Sequence, residues 1–202
     1  MKMLPGTCTG SQINFFGQIA AFSVLVLFIS CAPSIRQYYP DTFHSEDNIY
    51  ENRALHFLLI YRGNWQLYTD PKEMDKTSHD FAAHLNKRGA ELLFSGSTTD
   101  GLYGSRGIAI NLNEPALDYA KQVRELNKND VRNDSGIVEF YAGTYPMAKW
   151  TYSIMNFRFV EFFFNVSTYD VRIAFWTKEE RFTNFLPVLE DIISSVSFTH
   201  GM

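Results

Sequence analysis

His79 and His84 are the two of the chain's five histidines placed closely enough to bring a metal to mind. They stand five residues apart rather than at the i, i+4 spacing of a metalloprotease helix, and no His-Glu-x-x-His occurs. A zinc set would need Asp75 or Asp80 to complete it, with no cysteine nearby to supply a soft ligand. No metal site and no cofactor is therefore assigned. Between Asp100 and Gly107, glycines recur at every third position. A phosphate-cradling loop needs such a run at a strand-to-helix junction with a Lys, whereas this one joins two strand segments and has no Lys, so Asp100-Gly101 reads as a hairpin turn. No Gly-x-Ser-x-Gly elbow is present. Glu139 and Glu161 fall on segments that can pair as neighbouring strands, and two facing carboxylates suit hydrolysis. They are the only support for an enzyme, here a small hydrolase, and no residue is assigned as catalytic.

The aromatic residues carry more. Eleven Tyr and three Trp supply stiff apolar area with a polar handle, which serves equally in a core and at a protein contact. Tyr141, Tyr145, Trp150, Tyr152, Tyr169 and Trp176 gather around the turns of one strand-rich region. Of these, Tyr141, Tyr145, Tyr169 and Trp176 are the candidate partner surface. The 18 Lys and Arg against 22 Asp and Glu leave a net charge of -4 with no basic run, which removes the electrostatic case for binding nucleic acid.

Cys31 closes an apolar run, residues 19 to 30, that is too short to span a bilayer comfortably and matches the length of a signal-peptide core. Leu-Phe-Ile-Ser-Cys at this point resembles the lipobox of bacterial lipoproteins, with Ser30 in the small position and Phe28 where Leu is usual. The expectation is a signal peptide over residues 1–30, a lipidated Cys31, and a polar, Pro-interrupted tether over 31–47. The domain would then be held on a membrane of the bacterial cell envelope, in the periplasm or outside the cell. Ser30-Cys31-Ala32 as an ordinary small-x-small secretory cleavage site and an uncleaved anchor are the alternatives. Cys8 lies upstream, so the mature domain keeps no thiol for a disulfide or a nucleophile.

Four strands are expected from Ile137 to Trp176, divided at Gly143–Pro146, Met155-Asn156 and Ser167–Asp170. In 148–154, Ala148, Trp150, Tyr152 and Ile154 face a core, with Lys149, Thr151 and Ser153 on a wet side. Residues 159–166 are apolar on both faces, as in a central strand. A helix closes the region, with Phe182, Phe185, Leu186, Leu189, Ile192, Ile193 and Val196 at helical spacing. Thr177 with Glu180 as a capping box would put Pro187 mid-helix and bend it, and Asn184 as the cap would put Pro187 in the first turn. Upstream, a hairpin turns near Glu51–Arg53 into a strand over 54–61, with Trp65 beyond it as a core plug. A helix runs from Thr77 or Ser78 to Arg88 with Gly89 as its stop, followed by strands over 90–97 and 104–112 and a helix over 116–127.

Hairpin, helix, two strands, helix, four strands, helix describes an α+β domain over 48–202 with a mainly antiparallel sheet between helices. The block RGAELLFSGSTTDGLYGSRGIAINL, the Trp after the early strand, and the ending FLPVLEDIISSVSF with Ser194, Ser195 and Phe198 resemble the PsbP/Mog1-like α/β/α sandwich. That resemblance implies a noncatalytic accessory or protein-binding role and carries no site residue with it. An envelope protein is the expected partner, and a small-ligand-binding lipoprotein is the other reading.

Overall fold

The computed structural model describes residues 41–198. Cys31 and the whole of 1–40 lie outside them, as do the last four residues. Eleven strands, β1 (Asp41–His44), β2 (Ile49–Asn52), β3 (Phe57–Ile60), β4 (Trp65–Tyr68), β5 (Ala90–Thr98), β6 (Tyr103–Ile110), β7 (Ile137–Ala142), β8 (Tyr145–Ile154), β9 (Phe157–Val166), β10 (Tyr169–Lys178) and β11 (Ser197–Phe198), are joined by three helices, α1 (Lys76–Asn86), α2 (Ala116–Asn127) and α3 (Phe182–Ser194). A seven-stranded sheet in the order β4-β5-β6-β10-β9-β8-β7 and a four-stranded sheet in the order β1-β2-β3-β11 are antiparallel throughout. This is an α+β architecture in which helices and a small sheet cover the large antiparallel sheet.

Both faces of the large sheet are covered. On one, Phe94, Phe162, Ile173 and Phe175 meet Tyr50, Phe57 and Leu59 of the small sheet and Phe185, Leu189 and Ile192 of α3. On the other, Ile108, Trp150, Tyr152 and Phe163 meet Phe81 and Leu85 of α1 and Tyr119 and Val123 of α2. Each fully buried ring of this kind stabilises the fold by about 1.5–3 kcal/mol relative to exposure. The period-2 alternation of β8 and the two-sided apolar character of β9 follow from this layering, since β9 lies inside the sheet with a core above and below.

Several boundaries differ from the sequence expectation. The β2–β3 hairpin turns over residues 53–56 rather than 51–53, because the Asn52 side chain accepts from Leu55 N at 2.8 Å and His56 takes a φ of 54°. His56 is thus a turn residue, and the strand that follows begins at Phe57. Strand β1 occupies 41–44 at the edge of the small sheet, within the stretch read as tether. At α1 the cap is Asp75, whose carboxylate accepts from Ser78 N at 2.7 Å, and Gly89 stops the segment at a φ of 77°. Neither proposed cap of the last helix is used. Thr177 Oγ1 donates to Leu102 O, a 3-10 turn over Glu179–Arg181 leads in, and Asn184 and Pro187 both sit inside α3.

The tail has a structural explanation. Ser195 Oγ donates to Ile192 O at 2.6 Å and accepts from Ile60 N at 2.8 Å, which ties the end of α3 to β3. Two residues later β11 pairs Ser197 with Leu58 and Phe198 with Phe57. The Ser-x-x-Phe ending therefore completes the small sheet. Val196 and Phe198 are half-buried rather than enclosed.

Candidate functional site

Helix α3 packs over β10 and against β3. It leaves the neighbouring part of the sheet, where β7, β8 and β9 continue, without a lid. The result is a groove of about 850 Å³. Lys149, Thr151, Val160 and Phe162 form its floor, and Leu186, Leu189, Glu190 and Ile193 of α3 form its wall. The side of β8 read as wet is therefore a half-buried groove floor for Lys149 and Thr151, while Ser153 is buried and donates to Glu179 Oε2 at 2.6 Å. One end is closed by the β7–β8 hairpin and by Phe198, whose ring stacks on Tyr145 at 3.9 Å between centroids. The walls are mostly apolar with a few polar groups, the usual make-up of a binding cleft.

Of the four aromatic candidates, Tyr141 and Tyr145 line this groove. Tyr141 is 71% exposed, the highest value among the large apolar side chains described, and Val138 on the same strand is 52% exposed. Tyr169 packs against the same core from β10, and its ladder partner is Val166 of β9. Trp176 is not part of this group. It faces the α1 side, near Phe159 at 6.2 Å between centroids, and lines a different cavity. Trp150 and Tyr152, from the wider sequence cluster, are core residues at 0% and 1% exposure. The alternation of β10 carries this distinction, since Tyr169 and Trp176 are an odd number of residues apart and so point to opposite faces.

Glu139 and Glu161 are not brought together. They lie on β7 and β9 with β8 between them, about 10 Å apart across the ladder. Glu139 is exposed, whereas Glu161 is buried and accepts from Tyr152 Oη and Arg172 Nη2, each at 2.6 Å. The carboxylate pair on which the hydrolase reading stood is absent from the described residues. His79 lies on the exposed side of α1, 3.8 Å from Asp80. No group of three or more His, Cys, Asp or Glu among the described residues is arranged to hold a metal.

Sequence reasoning missed the roles of two glycines. Gly101 makes the expected turn at a φ of 69°, with Asp100 Oδ1 accepting from Thr98 Oγ1 at 2.6 Å and Leu102 N at 3.1 Å. Gly104 and Gly107 instead sit inside β6 under aromatic rings. A Cβ at Gly104 would lie 2.2 Å from Trp176, and one at Gly107 would lie 2.4 Å from Phe94. The third-residue spacing is thus a turn followed by two ring seats.

No protein-family model and no curated protein sequence matches this chain. Among solved structures, the solution structure of cyanobacterial PsbP (CyanoP) from Synechocystis sp. PCC 6803 is similar, with a TM-score of 0.52 at 9% identity, over 74% of this chain and 91% of that one. A crystal structure from Bacteroides thetaiotaomicron VPI-5482 overlaps with a TM-score of 0.40 at 12% identity, over 72% of this chain and 46% of that one. The first of these shows a PsbP-like fold. No helix among the described residues is long and apolar enough to cross a membrane.

Proposed function

We propose that this chain is a lipid-anchored accessory protein of the bacterial cell envelope whose α3/β7–β9 groove receives an apolar segment of a partner protein. The observation that carries this reading is the groove itself: about 850 Å³, mostly apolar, with the exposed Tyr141 at one end. Exposed apolar area joined to such a cleft is characteristic of interaction sites. Tyrosine supplies contact area there at low entropic cost, and its hydroxyl stays hydrated until the partner arrives. Tyr145 and Tyr169 border the same end of the sheet and extend the surface. The PsbP-like fold agrees with an accessory role by analogy only.

Cys31 is the proposed anchor, after cleavage of 1–30, with the tether running from there into β1. Two or more acyl chains give stable attachment where one is marginal. Cys31→Ser should leave an unprocessed or released protein, and unchanged mass and detergent partitioning would count against the anchor.

The groove reading is tested by photo-crosslinking side chains placed at Tyr141 and Leu186, with Lys121 on α2 as the control, in native membranes. One partner band from both groove positions and none from the control is the expected result. Equal labelling at all three would overturn it. The half-buried Lys149 on the groove floor favours a second reading, a small apolar ligand with an anionic end. Mass spectrometry of an organic extract of the purified protein distinguishes the two.

A further inference from the structure

The opposite face of the large sheet holds a cavity of about 440 Å³ between α1, the β5–β6 hairpin and β10. Arg106 of β6 reaches into it. Its guanidinium lies 4.3 Å from the centroid of Phe81 and 5.7 Å from that of Trp176. Among the described residues Arg106 forms no ion pair, and its Nε is buried without a hydrogen-bond partner. Burial pushes the guanidinium down to about 10, with the charge of Asp75 acting against that, so Arg106 remains a cation at neutral pH. Arg106 is thus a half-buried cation with an enclosed Nε, held by aromatic rings rather than by a carboxylate. Arg172, on the neighbouring strand and the same face, has a carboxylate at 2.6 Å.

The cavity wall is also fixed in place. Trp176 rests on Gly104, which has no room for a Cβ beneath the ring. The hydroxyls of Ser78 and Ser95 bind one another at 3.2 Å on the floor side. An aromatic plate and a guanidinium are thus held beside each other before any ligand enters, which lowers the ordering cost of binding.

We propose that this cavity binds a small molecule carrying one carboxylate on a flat apolar body. The carboxylate meets the terminal nitrogens of Arg106, which present a planar fork matched to two oxygens, and the apolar body lies against Trp176. Glu73 and Asp75 also line the cavity. Asp75 is committed to the start of α1 through Ser78 N, but both carboxylates repel negative charge, so a monoanion is selected over a phosphate or a dicarboxylate. This site is separate from the groove and does not depend on how the groove is used.

The test is a titration of the purified full chain with benzoate, with benzamide as the uncharged isostere. It is followed by tryptophan fluorescence and by the amide shifts of Gly96, Ser97 and Gly104. Trp65 and Trp150 are buried, so the fluorescence change reports Trp176. Benzoate should saturate in the millimolar range or tighter, and benzamide should bind at least about tenfold more weakly for want of the charge-assisted pair. Arg106→Lys, which keeps the charge but loses the fork, should weaken benzoate by about tenfold as well. Absence of a saturable response, equal binding of the two probes, or shifts centred on Lys149 and Thr151 would each overturn the proposal. The comparison of probes on the unaltered protein stands even if the variant misfolds.

Discussion

Arg172 Nη2 donates to Glu161 Oε1 at 2.6 Å, and the two side chains retain only 8% and 1% of their exposure. Tyr152 donates to the same oxygen at 2.6 Å, so one carboxylate oxygen anchors a cation from β10 and a phenol from β8. Burial alone would lower the affinity of Arg172 for its proton, and the Glu161 charge outweighs that and raises it. The Tyr152 phenol is pushed far up, first by burial and then by the same carboxylate.

Removing one member of this group leaves an uncompensated buried charge. Glu161→Gln should destabilise the fold by about 3–5 kcal/mol, while replacing both Glu161 and Arg172 with Leu should recover most of the loss. Urea unfolding of the two variants checks this. Equal destabilisation by the single and double replacements would show that shape, not charge, governs the site.

Asp134 gives a pH signature. Burial would raise its carboxyl, but Arg124 at 2.7 Å, Gly136 N at 2.8 Å and Trp150 Nε1 at 3.0 Å together hold it below its ordinary value of 3.8. A carboxyl that binds its proton less readily when folded contributes stability above its unfolded value, and that contribution is lost as the pH falls through the folded one. The stability difference between the unaltered protein and Asp134→Asn should therefore be constant near neutrality and shrink below pH ~4. A difference that stays flat down to acid unfolding would contradict the pairing.

Much of the scaffold was legible because it is written in periodicity. The alternation of 148–154 placed Trp150 and Tyr152 in the core, and the spacing from Phe182 to Ile193 gave the covered face of α3. What the sequence could not carry is placement across the sheet. Nothing local to Glu139 shows that β8 lies between it and Glu161. Nor does anything near Tyr169 or Trp176 show that α3 leaves β7 to β9 open. Arg106 was overlooked because a lone Arg in a strand is ordinary, and only the aromatic rings around its guanidinium and its enclosed Nε make it notable. The strand over 104–112 was legible, but the reason for its glycines was not, because the rings seated on Gly104 and Gly107 come from other strands, Trp176 of β10 and Phe94 of β5.

Phe198 anchors the tail by stacking on Tyr145 and by an edge contact to Phe164, with centroids 5.5 Å apart. Because its ring is only half-buried, Phe198→Ala should cost about 1–2 kcal/mol, below the range for an enclosed phenylalanine. The same change removes one end of the groove, so crosslinking from Tyr141 should fall more steeply than stability does. Thermal unfolding and crosslinking yield, measured on one preparation, separate the two effects.

Gly104→Ala tests how firmly Trp176 is seated. The backbone of Gly104 is ordinary strand, so an added methyl brings no conformational strain, only contact. That methyl would fall 2.2 to 2.5 Å from three atoms of the Trp176 indole, and the ring cannot slide along the sheet without losing Phe159 and the Arg106 guanidinium. Overpacking of this kind costs about 1–3 kcal/mol. The fluorescence of Trp176 should shift toward longer wavelength as the ring is displaced into solvent, and benzoate binding should weaken while crosslinking from Tyr141 is retained. An unshifted spectrum with unchanged stability would mean that the ring has room to move, and the cavity beside Arg106 would then lack the fixed wall described for it.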